Sequence, residues 1–297
     1  MPARVTVLLG FFIVVIIWST TPLAIKWSGD GPGYLFAVMA RMVIGTVIML
    51  LLARIKRVRV PWHRQALLTY SAAGLGIYGA MLSVYWGSQF IASGFISVIF
   101  GLTPIVTGIM AYFLLQERGL TPLRLAGILL GVAGLGVIFR RSFGLGELVT
   151  LGISAVFVSV LLHALSSVLV KRWHTDLSAL SVTTGGLLLA TPAYIVTWLL
   201  VDGHLPALMP ASALWSIIYL GVIATGIGFT LYFYILKHMP ASQVALLTLL
   251  TPVLALWIGQ LFNNEIVGMS AWLGSVLILI GMSIYQWGGL WFQRPGK

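Results

Sequence analysis

Two stretches of this chain place a threonine, a proline and a carboxylate in the same order and at the same spacing. Leu102-Thr103-Pro104 lies in an apolar run that ends at Glu117, and Leu250-Thr251-Pro252 lies in another that ends at Glu265. The offset is 148 throughout (251 from 103, 265 from 117), and these are two of only three glutamates in the chain. A proline inside a helix lacks the N–H that would bond the preceding turn, so it kinks the helix and frees a carbonyl at depth. Thr103 and Thr251 could bond such freed groups, and Thr103, Pro104, Thr251 and Pro252 are the candidate hinge residues. The glutamates could carry protons if buried. At the end of a span a charge avoids most of the cost of burial, so closing the span is the preferred reading.

Other polar residues also fall inside apolar runs. Arg41 needs an anion, carbonyls or water around its guanidinium. It could bind a substrate carboxylate, tie one helix to another, or reach the membrane interface. His163 could line a cavity and titrate in a transport cycle, or simply pack. Gly74, Tyr78, Met81 and Tyr85 follow spacings of four, three and four, which is one helical face, and Gly221, Thr225, Gly228 and Tyr232 repeat those spacings. Facing a cavity, these residues would make an aromatic, lightly polar site. Facing a neighbouring helix, the small residues would make a packing seam. With Trp18, the candidate cavity residues are Trp18, Arg41, Tyr78, Met81, Tyr85, His163, Thr225 and Tyr232.

Several chemistries find no support. The chain has no cysteine, hence no disulfide, thiolate metal site or cysteine nucleophile. No phosphate-binding loop occurs, so ATP is not the direct energy source, and the glycines at 127, 131, 134 and 136 read as close helix packing. No catalytic or metal-binding motif is present, and no cofactor is called for.

The elements that must hold these residues are membrane helices. Sixty per cent of the 297 residues are hydrophobic and 8% are charged, against about 25% charged in a soluble domain. Ten apolar segments are predicted at 5–27, 33–54, 66–86, 93–115, 122–139, 147–170, 178–200, 212–235, 242–262 and 270–290. The first reads as a retained helix rather than a signal peptide, because no small-x-small cleavage site follows it. With a cytoplasmic N-terminus, thirteen Lys and Arg fall in inside loops and three (Lys26, Arg140, Arg141) outside, which obeys the positive-inside rule. The run from Arg54 to Arg64 is then a topology signal touching anionic lipid, not a nucleic-acid surface.

The duplication extends along the chain. Gly74, Gly79, Ser83 and Tyr85 match Gly221, Gly226, Thr230 and Tyr232 at offset 147, as Gly127 and Gly134 match Gly274 and Gly281. Trp18 and Lys26 match His163 and Lys171 at offset 145. Five helices per half, an odd number, send the second half into the membrane from the opposite side. The predicted fold is all-α and integral to the membrane, with ten transmembrane helices as two inverted five-helix repeats, residues 1–141 and 142–297.

Trp18-Ser19 and Lys26, Arg41, and the two Leu-Thr-Pro…Glu units together resemble the drug/metabolite transporter superfamily, in its ten-helix EamA-type form. The resemblance covers nearly the whole chain and departs from the family at His163, where the second repeat often has tryptophan. It implies a secondary carrier at the inner membrane, exporting aromatic or neutral amino acids or related small metabolites by alternating access. Its partners would be that solute and membrane lipid, and a monomer would suffice. A multidrug or cationic-compound exporter is the rival within transport, disfavoured by the scarcity of buried acid. An integral-membrane lipid-modifying enzyme is the rival from another class, and it lacks a visible nucleophile or metal cluster.

Overall fold

A computed structural model describes residues 2–117, 121–142, 146–173, 176–244, 247–264 and 268–291. The described chain forms ten helical segments. They are α1 (Pro2–Gly29), α2 (Tyr34–Ile55), α3 (Arg64–Ser88), α4 (Ser93–Leu115), α5 (Pro122–Ser142), α6 (Glu147–Arg172), α7 (Ala179–Val201), α8 (Ala211–His238), α9 (Ala241–Val244 and Leu247–Asn263) and α10 (Met269–Trp291). Seven are long and apolar enough to cross a bilayer, and α5, α9 and α10 carry shorter apolar stretches. Helices suit this setting because they satisfy their own backbone polar groups, which lipid cannot do. The turns use residues that stop helices: Gly31 and Gly33, at φ 97° and 80°, reverse the chain between α1 and α2. Glu265 lies outside the described residues.

The two halves are inverted repeats, and packing between α5 and α10 shows it. Gly127 lies against Gly281, and Gly134 against Gly274. Gly127 is the counterpart of Gly274 and Gly134 that of Gly281, so the two contacts are one contact seen twice about a two-fold axis. A Cβ on Gly134 would come within 2.7 Å of Gly274 O, and one on Gly281 within 2.6 Å of Gly127 O. Only glycine permits this approach.

The matched lysines repeat the theme at opposite ends of the bundle. Lys26 Nζ donates to Ile91 O, in the α3–α4 turn, at 2.7 Å. Lys171 Nζ donates to Leu236 O at 2.8 Å, in the last turn of α8, and to Met239 O at 2.9 Å, in the α8–α9 turn. Glu117 grips the other side of that second turn, accepting from Ala241 N at 3.1 Å and Ser242 Oγ at 2.7 Å. A cation thus meets the carbonyl end of α8 and an anion the amide end of α9, as the helix dipoles favour. Glu117 is therefore a helix-capping residue.

Both central helices carry a π-helical stretch at matched places, Leu75–Ala80 in α3 and Leu220–Gly228 in α8. Such stretches loosen the regular hydrogen-bond ladder, and neighbouring hydroxyls take up carbonyls in and beside the one in α3. Tyr194 Oη donates to Ile77 O or Tyr78 O (2.8 and 2.9 Å), Ser159 Oγ to Ala80 O (2.6 Å), and Ser166 Oγ to Ala72 O (2.7 Å).

α4 is broken rather than merely kinked. It stops at Phe100, turns through Gly101 and Leu102, and restarts at Thr103, so Pro104 sits in the first turn of the second piece. Pro104 offers no N–H to Phe100 O, four residues back, and Thr103 Oγ1 donates to that oxygen at 2.6 Å. Pro252 instead lies inside the longer piece of α9.

Candidate functional site

α1, α2, α3, α4, α6, α8 and α9 surround a cavity of about 70 Å³. A cavity of this size holds a few water molecules and not a metabolite, so helix motion must widen it to admit a solute. Its wall includes Trp18, Arg41, Met81, His163 and Thr251 from the sequence candidates.

Arg41 is the charged member. Only 2% of the residue is exposed, although it lies in the second apolar helix, which removes the interfacial reading. Nε donates to Thr225 Oγ1 at 2.8 Å and Nη1 to Tyr85 Oη at 3.4 Å, and the guanidinium carbon lies 5.8 Å from the Tyr85 ring centre. Gly221 and Gly45 make this possible: a Cβ on Gly221 would lie 3.0 Å from Arg41 O, and one on Gly45 would press on the Thr225 side chain. Thr225 and Tyr85 thus hold the arginine from outside the cavity.

The rings of Trp18, Phe100 and His163 form another part of the wall, and Tyr232 packs against two of them without lining the cavity. Trp18 lies 5.6 Å from His163 and 5.1 Å from Tyr232, and His163 lies 5.3 Å from Tyr232 and 6.1 Å from Phe100, all between ring centres. Trp18 and His163 are counterparts at offset 145 and touch each other, which places the cavity at the pseudo-two-fold axis.

Tyr78 turns elsewhere. Its hydroxyl shares a 2.7 Å hydrogen bond with Thr197 and its ring packs 4.9 Å from Tyr194, both on α7. The expectation of one face for Gly74, Tyr78, Met81 and Tyr85 assumed 3.6 residues per turn. The π-helical stretch changes that count at Tyr78 and separates it from Met81 and Tyr85. Thr103 and Pro104 shape α4 beside the cavity, and Pro252 packs near Gly101 across the α4–α9 contact.

Thr21, Pro22, Ser97, Phe100 and Phe229 also line the cavity and were not among the sequence candidates. Apolar and hydroxyl residues carry no signal in a chain this apolar. The repeat had one clue to offer, since Ser97 and Phe100 share the broken α4 with Thr103.

A ten-helix inverted repeat around an axial cavity is carrier architecture, and sequence comparison decides the family. The model of the EamA-like transporter family matches this chain twice, over residues 5–140 and 150–286. The chain belongs to the EamA-like transporter family. This EamA-like protein, of the drug/metabolite transporter superfamily, is thus a multi-pass membrane transporter and not an enzyme. It is 28% identical over 284 residues to the uncharacterized transporter YoaV of Bacillus subtilis (strain 168), covering 94% of this chain and 96% of that one. It is 25% identical over 281 residues to a probable terminal-alkyne amino-acid exporter of Streptantibioticus cattleyicolor, covering 92% and 90%. A crystal structure of a protein 19% identical shares the fold, with a TM-score of 0.69 over 94% of this chain and 96% of that one.

Proposed function

We propose that this EamA-like transporter exports aromatic or neutral amino acids or related carboxylate-bearing metabolites. The observation that carries this reading is Arg41, a buried guanidinium at an aromatic-walled cavity, held by two neutral hydroxyls. A carboxylate is the natural partner of such a fork of donors. The ring wall of Trp18, Phe100 and Phe229 suits an apolar or aromatic side chain. The amino-acid exporter among the relatives supports the same class.

Transport runs by alternating access, the two inverted halves rocking about the axial site. The excess of Lys and Arg in alternate loops supports an inner-membrane protein with both termini in the cytoplasm. A multidrug exporter of cations is the second reading, and the positive charge of Arg41 opposes it. The test is uptake of a labelled amino-acid panel by proteoliposomes, beside Arg41→Gln. Arg41-dependent uptake of at least one amino acid is expected. Uptake of organic cations alone would favour the second reading.

A further inference from the structure

The cavity wall carries a guanidinium, that of Arg41, whose charge no described residue balances. Of the six acids, the five described ones (Asp30, Glu117, Glu147, Asp176 and Asp202) lie in turns or at helix ends, and both oxygens of Glu117 are engaged by α9. Among the described residues, no carboxylate is paired with Arg41, whose side-chain partners are the hydroxyls of Thr225 and Tyr85. Nor does the repeat duplicate the arginine. The offset of 145 that relates Lys26 to Lys171 carries Arg41 onto Gly186, which packs on Ala73 and Ile77. The axial site is therefore charged from one half only.

A buried ion is costly until its charge is matched. A solute with one carboxylate matches Arg41. A free α-amino acid brings an ammonium as well, one carbon from the carboxylate and so beside the guanidinium, where like charges repel. The cavity would offer it neutral hydroxyls from Thr21, Ser97 and Thr251 and the ring faces, and no described carboxylate. Resting on the reading of Arg41 as a carboxylate anchor, we infer that the preferred solutes are monoanions: aromatic or apolar carboxylates whose amino group is absent or acylated, ranking above the free zwitterionic amino acid. Neutralising the site with a single negative charge leaves only apolar surface to be accommodated by Trp18, Phe100, Met81 and Phe229.

Four probes with one phenyl ring separate the charge states: 3-phenylpropionate, N-acetylphenylalanine, phenylalanine and phenethylamine. Binding is measured by titration calorimetry on the purified full chain in lipid nanodiscs. The two monoanions are expected to bind at least tenfold more tightly than phenylalanine, and phenethylamine not to bind. Arg41→Gln should abolish the preference. Arg41→Lys keeps the charge and should retain the order at lower affinity, which guards against misfolding of the first variant. Phenylalanine binding as tightly as the monoanions, with Arg41 still required, would overturn this inference and leave the carboxylate reading standing. Phenethylamine binding best, or binding unaffected in both variants, would overturn the two together. Binding of none of the four would overturn the monoanion class, and the Arg41-dependent uptake panel would then decide the carboxylate reading by itself.

Discussion

Thr46 and Thr191 share a hydrogen bond of 2.6 Å, and the two residues are counterparts in the repeat, 145 positions apart like Lys26 and Lys171. A residue can touch its own counterpart only where the two-fold axis passes. Thr46 in α2 and Thr191 in α7 mark one point on that axis, and Trp18 and His163 mark another, at the cavity. Both threonines are buried, so the α2–α7 contact is a polar tie inside an apolar seam. Thr46→Val and Thr191→Val should each cost about 0.5–1.5 kcal/mol, near the range for hydrogen bonds between membrane helices. The double variant should cost less than the sum, because either change removes the same bond. Thermal unfolding of the four proteins in one detergent checks this, and strict additivity would deny the bond energetic weight.

The glycine seam between α5 and α10 predicts a sharp contrast within one helix. Gly134→Ala sets a methyl against Gly274 O and should destabilise by about 1–3 kcal/mol, as overpacking does. A Cβ on Gly136 meets nothing within 4 Å. Gly136→Ala should therefore be neutral or gain up to about 1 kcal/mol from helix propensity. Unfolding midpoints of the two variants, compared with the wild type, give the answer directly.

Thr103 and Pro104 should behave as a pair. Thr103→Val strips the donor from Phe100 O and should cost about 1 kcal/mol, the usual penalty for an unpaired buried acceptor. In a Pro104→Ala background the new N–H can serve that carbonyl, so the same threonine change should cost less. Pro104→Ala should lower transport rate more than stability, since it regularises the break in α4 beside the cavity. Equal losses in rate and stability would assign the proline to packing.

Glu117 should prove a stability residue and not a proton carrier. Glu117→Ala removes two acceptors from the start of α9 and should lower stability by about 1–2 kcal/mol, as loss of a helix cap does. Glu117→Gln keeps one acceptor and should recover part of it. Transport by Glu117→Gln should keep the wild-type pH profile, measured as uptake across the pH range in proteoliposomes. A flattened profile would return the carboxylate to the transport cycle.

Arg41→Lys tests the fork geometry around the cavity. Lysine keeps the charge but not the planar donor set that meets Thr225 and Tyr85 together. Transport should fall at least tenfold while the unfolding midpoint shifts far less than for Gly134→Ala. A variant that transports normally would show that charge alone suffices.

The number of helices, their limits and their inverted duplication were legible in the sequence, because lipid imposes long apolar runs and a repeat leaves matched residues behind. The predicted 93–115 and 122–139 became Ser93–Leu115 and Pro122–Ser142. Lys26 and Lys171 were visible as a matched pair, although their carbonyl partners were not. Arg41 and His163 stood out because a polar group in an apolar run is costly and needs a reason. What tertiary structure alone decided was direction and company. The π-helical stretch in α3 turned Tyr78 toward α7 while leaving Met81 at the cavity, a change of helical phase that residue spacing cannot reveal. The break before Pro104 required seeing which carbonyl Thr103 takes. Phe100, Phe229 and Ser97 joined the site only when distant helices converged, since an apolar side chain looks the same in sequence whether it faces lipid, a neighbouring helix or a solute.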